Sequence, residues 1–113
     1  MEERDYWYWL GVTEDFSAAA AGRLLGLYGS PGEIFRQHML PVGGRQQEAL
    51  DESKRRLDEL LRERDGFAAK GISWSCPADE DYPKRLLTIP DPPAVLFRMG
   101  EFPIGTDLSM LKL

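Results

Sequence analysis

The chain has 113 residues, 42% of them hydrophobic and 29% charged, with a net charge of −5. That is enough for one modest core, or for one small domain plus part of another, and it excludes bulk electrostatic attraction for nucleic acid, which is held mainly by Lys and Arg neutralising phosphate. A single cysteine, Cys76, excludes an intrachain disulfide and predicts a reducing, cytoplasmic setting; the acidic start is unlike a signal peptide, and no run approaches the ~20 apolar residues that span a bilayer.

Asp5–Leu10 concentrates aromatic residues in a run too short to assign by period. Asp5 as cap predicts a short helix with Trp7, Leu10 and Tyr6 inward. A core plug is favoured over a base-stacking platform, because only Arg4 is near to supply positive charge. Gly11–Phe16 reads as a turn. Ser17–Tyr28 reads as a helix, with Ser17 as N-cap, an apolar face of Leu24, Leu25, Leu27 and Tyr28, and Gly29 as its stop. Gly22 and Gly26 lie on it where a neighbour can approach closely. Ser30-Pro31-Gly32-Glu33 has the form of a capping box with proline in the first turn, opening a short helix to about His38 with Ile34 and Phe35 inward.

After the break at Leu40–Gly44, Arg45–Lys70 reads as one long helix with Leu50, Leu57, Leu60, Leu61 and Phe67 on its apolar face. Asp51–Arg55, Glu52–Arg56 and Asp58–Arg62 are acid-before-base pairs four apart, each worth a few tenths of a kcal/mol. The run Lys54-Arg55-Arg56 supplies the candidate phosphate contacts; a solvated, paired face is the plainer reading. Gly66 weakens this helix and Gly71 ends it.

Ile72–Cys76 alternates as a short strand, with Cys76 on the face of Ile72 and Trp74. Pro77–Asp81 is an acidic loop without the spacing of a calcium site. Pro83 opens a helical turn, Lys84–Leu87, with Leu86 and Leu87 inward. Pro90, Pro92 and Pro93 hold the backbone extended, and Ala94–Phe97 reads as a buried strand ending near Gly100. No nucleophile–base pair, phosphate loop or metal-ligand cluster is visible, and His38 is the only histidine, so neither an enzyme nor a cofactor or metal is expected.

Four pieces in order resemble the DNA-processing protein A (DprA/Smf) family. They are the aromatic opening Tyr6–Leu10; Leu25–Phe35, reading L-G-L-Y-G-S-P-G-E-I-F; the long helix closing in Lys70-Gly71-Ile72; and the Asp79–Gly100 stretch with Tyr82, Pro83, Asp91, Pro92, Pro93 and Gly100. The resemblance implies a mainly α chain. A sterile-alpha-motif-like or helix-hairpin-helix-like domain would occupy 1–71, the start of a Rossmann-like domain 72–103, and a divergent tail 104–113. It implies single-stranded DNA binding and delivery of that DNA to the RecA recombinase, in natural transformation (competence) and recombination. The family's Gly-Ser-Arg loop is missing after Pro103, and Glu14 and Asp15 stand where a DNA-gripping hairpin would meet phosphate. The expectation is an N-terminal part, truncated or frame-shifted, without DNA binding of its own, with Leu96, Phe97 and Ile104 on an unpaired edge. The alternative is a stand-alone helical protein–protein interaction module that binds a partner or itself, with no membrane role.

Overall fold

A computed structural model describes residues 1–99; Gly100, Ile104 and the tail 104–113 lie outside the described residues. Five helices come first, α1 Glu3–Val12, α2 Ala18–Tyr28, α3 Pro31–Arg36, α4 Gly44–Arg55 and α5 Leu57–Ala69. Strand β1, Ile72–Ser75, follows, then a 3-10 turn Lys84–Thr88 and strand β2, Leu96–Met99. The chain is mainly α, with one two-stranded antiparallel sheet among the described residues. No helix among them is long and apolar enough to cross a membrane.

Helix α1 starts two residues ahead of Asp5. The Asp5 carboxylate reaches back and accepts from the Glu2 N–H at 3.0 Å, and Glu3 adds a second acidic group to the first turn. The buried residues are Tyr8, Trp9 and Leu10, with Trp7 and Tyr6 only half-buried. Three successive buried positions mean that α1 is covered on several sides. Trp9 meets Phe35 of α3 edge to face at 5.0 Å, while Tyr8 meets Trp74 of β1 at 5.1 Å. The helix also continues through Gly11 to Val12, so the expected turn shrinks to Thr13–Phe16. Asp15 there adopts a left-handed φ of 58°, a conformation Asp tolerates better than most residues.

Helix α2 begins as the sequence dictates: the Ser17 hydroxyl accepts from Ala20 N–H at 3.1 Å. It ends at Gly29, whose φ of 89° suits glycine and whose N–H reaches the Leu25 carbonyl at 2.8 Å. Its core stripe is Ala21, Leu24, Leu25 and Tyr28, and Leu27 stands off the stripe, 67% exposed, against expectation. Helix α3 has Ser30 as N-cap, accepting from Glu33 N–H at 3.3 Å, and Pro31 in its first turn. It stops at Arg36, before exposed His38, and the Glu33 carboxylate is turned to Arg36.

The long helix expected over 45–70 is two helices, interrupted at Arg56 (φ −98°, ψ 14°). No glycine or proline marks the break. Its consequence is geometric: α4 lies on α1 through Leu50, and α5 redirects to reach β1, with Leu57 still in the core. The exposed ion pairs also differ from those expected. Glu52 pairs with Arg55 at 2.6 Å and Arg56 with Glu59 at 3.1 Å, both three residues apart.

The core gathers Trp9 and Leu10 of α1, Leu24 of α2, Ile34 of α3, Leu40, and Leu50 and Leu57 of the broken pair. Trp9 is fully buried, and its indole N–H donates to the Ser53 hydroxyl oxygen at 2.7 Å. The Ser53 hydroxyl reaches the Leu50 carbonyl at 2.9 Å, and Thr13 lies 2.9 Å from Ser53 and 2.7 Å from the Trp9 carbonyl. One indole and two hydroxyls thus satisfy one another inside the bundle.

The strands pair with Ile72 opposite Met99 and Ser75 opposite Leu96. The second strand therefore lies two residues later than expected. Leu96 is paired and buried rather than left on an open edge, while Phe97 is 42% exposed. Cys76 is fully buried, and its sealed neighbour is Ser75, while Trp74 and Ile72, expected on the Cys76 face, are half-buried. In the 3-10 turn Leu86 is half-buried and Leu87 is 47% exposed, so Leu87 does not face inward.

Candidate functional site: where the strands fasten to the helices

The Asp79–Met99 stretch is fastened to the helices at Asp79, Asp91 and Val95, and Tyr82 closes it on itself. Asp79 comes first. Its carboxylate accepts two bonds from the Arg4 guanidinium, Nε to Oδ1 at 2.8 Å and Nη2 to Oδ2 at 2.9 Å. It also accepts from the Cys76 N–H, three residues back, at 3.0 Å, closing its own loop. Arg4 lies over the Trp74 ring at 4.1 Å and donates to the Trp74 carbonyl at 3.3 Å. The Arg4 hydrogen bonds hold the Asp79 carboxyl below its ordinary range despite partial burial. The acidic loop is thus a structural joint at Asp79, with Glu80 and Asp81 exposed beside it.

Tyr82 is buried, and its hydroxyl donates to the Pro93 carbonyl at 2.7 Å. This bond closes the chain from Tyr82 to Pro93 into a loop, with Pro83 starting the 3-10 turn and Pro92 and Pro93 returning the backbone. Burial first, then the Cys76 sulfur, pushes the Tyr82 phenol up to about 12. Asp91 lies against α2, its Oδ1 2.6 Å from where a Cβ on Gly22 would stand. Val95 lies against α1 in the same manner, its Cγ2 2.5 Å from the corresponding point on Gly11. Those two glycines are notches cut for the stretch. Gly26 faces nothing within 4 Å and receives no neighbour among the described residues.

A second joint braces the same junction. Arg64 of α5 pairs with Asp5 of α1 and lies 5.8 Å from the Tyr8 ring and 6.0 Å from that of Trp74. Burial raises the Asp5 carboxyl, but Arg64 and the Glu2 N–H outweigh it and leave it below its ordinary value. Sequence reading missed both arginines. Each is far along the chain from its partner, and nothing local distinguishes them from solvated charges.

The candidate phosphate contacts do not converge. Lys54 turns inward, donating to the Gln37 carbonyl at 2.8 Å with Phe35 and Trp9 rings 5.3 and 5.9 Å away. Burial pulls its ammonium below the ordinary lysine value, against Asp51. Arg55 and Arg56 point outward and are paired with Glu52 and Glu59. Among the described residues no group of three His, Cys, Asp or Glu is placed to hold a metal ion. Burial raises the Cys76 thiol, leaving it a poor nucleophile.

No protein-family model matches the chain, and no characterised protein or solved structure gives a significant match.

Proposed function

We propose that the chain is the helical portion of a DNA-processing protein of the DprA/Smf type, acting in the handling of single-stranded DNA for RecA-dependent recombination. In this reading residues 1–71 correspond to the sterile-alpha-motif-like or helix-hairpin-helix-like unit, and the paired strands to the approach to a Rossmann-like domain. The observation that carries the reading is the ordered motif itself, since Asp79, Tyr82, Asp91, Pro93 and Val95 each have a defined joint to make. Motif residues with structural joints account for the specificity of the stretch without assigning it chemistry.

The described residues serve protein contacts rather than DNA grip. Lys54 is engaged inside, Arg55 and Arg56 are paired, and the Thr13–Phe16 turn carries Glu14 and Asp15, which repel phosphate. Deleting the coding sequence and restoring it tests the functional reading. The frequency at which a single-stranded donor oligonucleotide is integrated into the chromosome should fall on deletion and return on complementation. An unchanged frequency in a clean deletion rejects the reading.

The second reading, a helical protein–protein interaction module, draws on the apolar side chains left outside the core, Leu27, Met39 and Phe97.

A further inference from the structure

We infer that the groove between the end of α1, the α4–α5 break and β2 is a docking site for a short cationic segment of another protein, one that carries an aromatic or large aliphatic anchor between Lys or Arg residues. The inference goes beyond the proposed function and gives the exposed Phe97 of the second reading a partner of stated chemistry. The groove encloses about 390 Å³, room for one or two large side chains rather than a whole helix. Its floor is aromatic. Phe97 meets Tyr8 edge to face at 6.1 Å and Phe67 at 5.8 Å, so three rings from β2, α1 and α5 converge. Phe97 remains 42% exposed at the centre of that set, an unusual position for a ring already held by two others.

The rim is acidic. Glu14 and Asp15 project from the Thr13–Phe16 turn, and Glu52 and Glu63 from α4 and α5. The left-handed φ of Asp15 sets that turn at the mouth. Arg56, held to Glu59, lines the groove, and Arg55, held to Glu52, lies outside the lining. Counting both against the four carboxylates leaves the mouth negative. Glu14, Asp15 and Glu63 have no ion-pair partner among the described residues. An aromatic floor inside a negative rim selects for a cationic ligand with an apolar or aromatic centre, through burial, edge-to-face packing and charge complementarity. A second copy of this chain, itself net negative, is poorly matched to the same rim.

The test is a titration of the isotope-labelled chain, followed by amide resonances, with the acetylated and amidated hexapeptide Lys-Arg-Trp-Leu-Arg-Lys. Its counterpart has every Lys and Arg replaced by Glu. The cationic peptide should shift resonances around Phe97, Phe67, Glu14 and Glu63 in a saturable way, and the acidic one should shift none of them. Phe97→Ala and Glu63→Lys should each weaken binding about fivefold or more, the loss expected for an anchor contact or a facing charge. Amide dispersion reports whether Phe97→Ala remains folded, and if it does not, Glu63→Lys and the paired Glu14→Lys/Asp15→Lys variant decide the matter. No saturable shift at about 1 mM peptide overturns the inference. So do shifts scattered over the surface, equal binding of the acidic peptide, unchanged affinity in the folded variants, or concentration-dependent self-association through these same resonances.

Discussion

Replacing Ser53 with alanine isolates the polar network that orders the core. The Trp9 indole N–H donates to Ser53 Oγ at 2.7 Å, and both residues are buried, Trp9 at 0% and Ser53 at 7% exposure. Ser53→Ala removes the acceptor and leaves the donor in an apolar setting, at a cost of about 1–3 kcal/mol. Alanine is the better helix former inside α4, which returns a few tenths of a kcal/mol. The expected net loss is about 1–2.5 kcal/mol, or roughly 5–15 °C in Tm for a domain of this size. Denaturant unfolding followed by far-ultraviolet circular dichroism measures it without relying on the altered tryptophan. Thr13→Ala leaves the indole bond intact and should cost about 1 kcal/mol or less. A loss below about 0.5 kcal/mol for Ser53→Ala would refute the reasoning, because the buried indole would then have found another partner.

Two glycine substitutions should have opposite signs. Gly11→Ala places a Cβ 2.5 Å from Val95 Cγ2 and 3.0 Å from the Val95 amide nitrogen, so the strand stretch must shift. It should cost about 1–3 kcal/mol in spite of the helix propensity gained, and less in a Val95→Ala background. Gly66→Ala meets nothing within 4 Å on α5 and should stabilise by about 1 kcal/mol in the same melts. The Asp79 and Asp5 carboxyls, both held below their ordinary values, set an acid limit. Their contribution is complete above the unfolded carboxylate pKa of about 3.9 and is lost as pH falls below it through the folded values. Arg4→Met should remove the Asp79 share, giving lower stability at neutral pH and a shallower loss in an acid titration followed by circular dichroism. An unaltered acid slope would count against the joint.

Much of the helical part was legible because its signals are local. Ser17 and Ser30 cap, Gly29 stops, and Leu24, Ile34 and Leu50 mark the buried faces. Tertiary contacts determined the rest. The break at Arg56 has no local signal, since residues 44–70 satisfy a helix without interruption; the split brings α4 to α1 and α5 to β1. Gly11 reads as a turn until Val95 is known to press on it. The burial of Tyr8 beside Trp9 violates single-face periodicity because strands and helices cover opposite sides of α1. At the junction, the sequence marked Tyr82, Asp91, Pro92 and Pro93 by resemblance, whereas Arg4 and Arg64 surface only through partners far along the chain. Gly100, singled out with them, lies outside the described residues. The groove carrying Phe97 likewise depends on three elements meeting, which no window of sequence contains.

At the centre of the proposal is that these residues do not themselves grip DNA. Fluorescence anisotropy of a labelled oligothymidylate, titrated with the purified chain at about 0.15 M salt, tests it most directly. With Lys54 engaged by Gln37, Arg55 and Arg56 paired, and Glu14 and Asp15 in the turn, the account predicts no saturation up to about 10 µM chain and no effect of Arg55→Ala/Arg56→Ala. Saturable binding below about 1 µM, weakened by that double substitution, would contradict it.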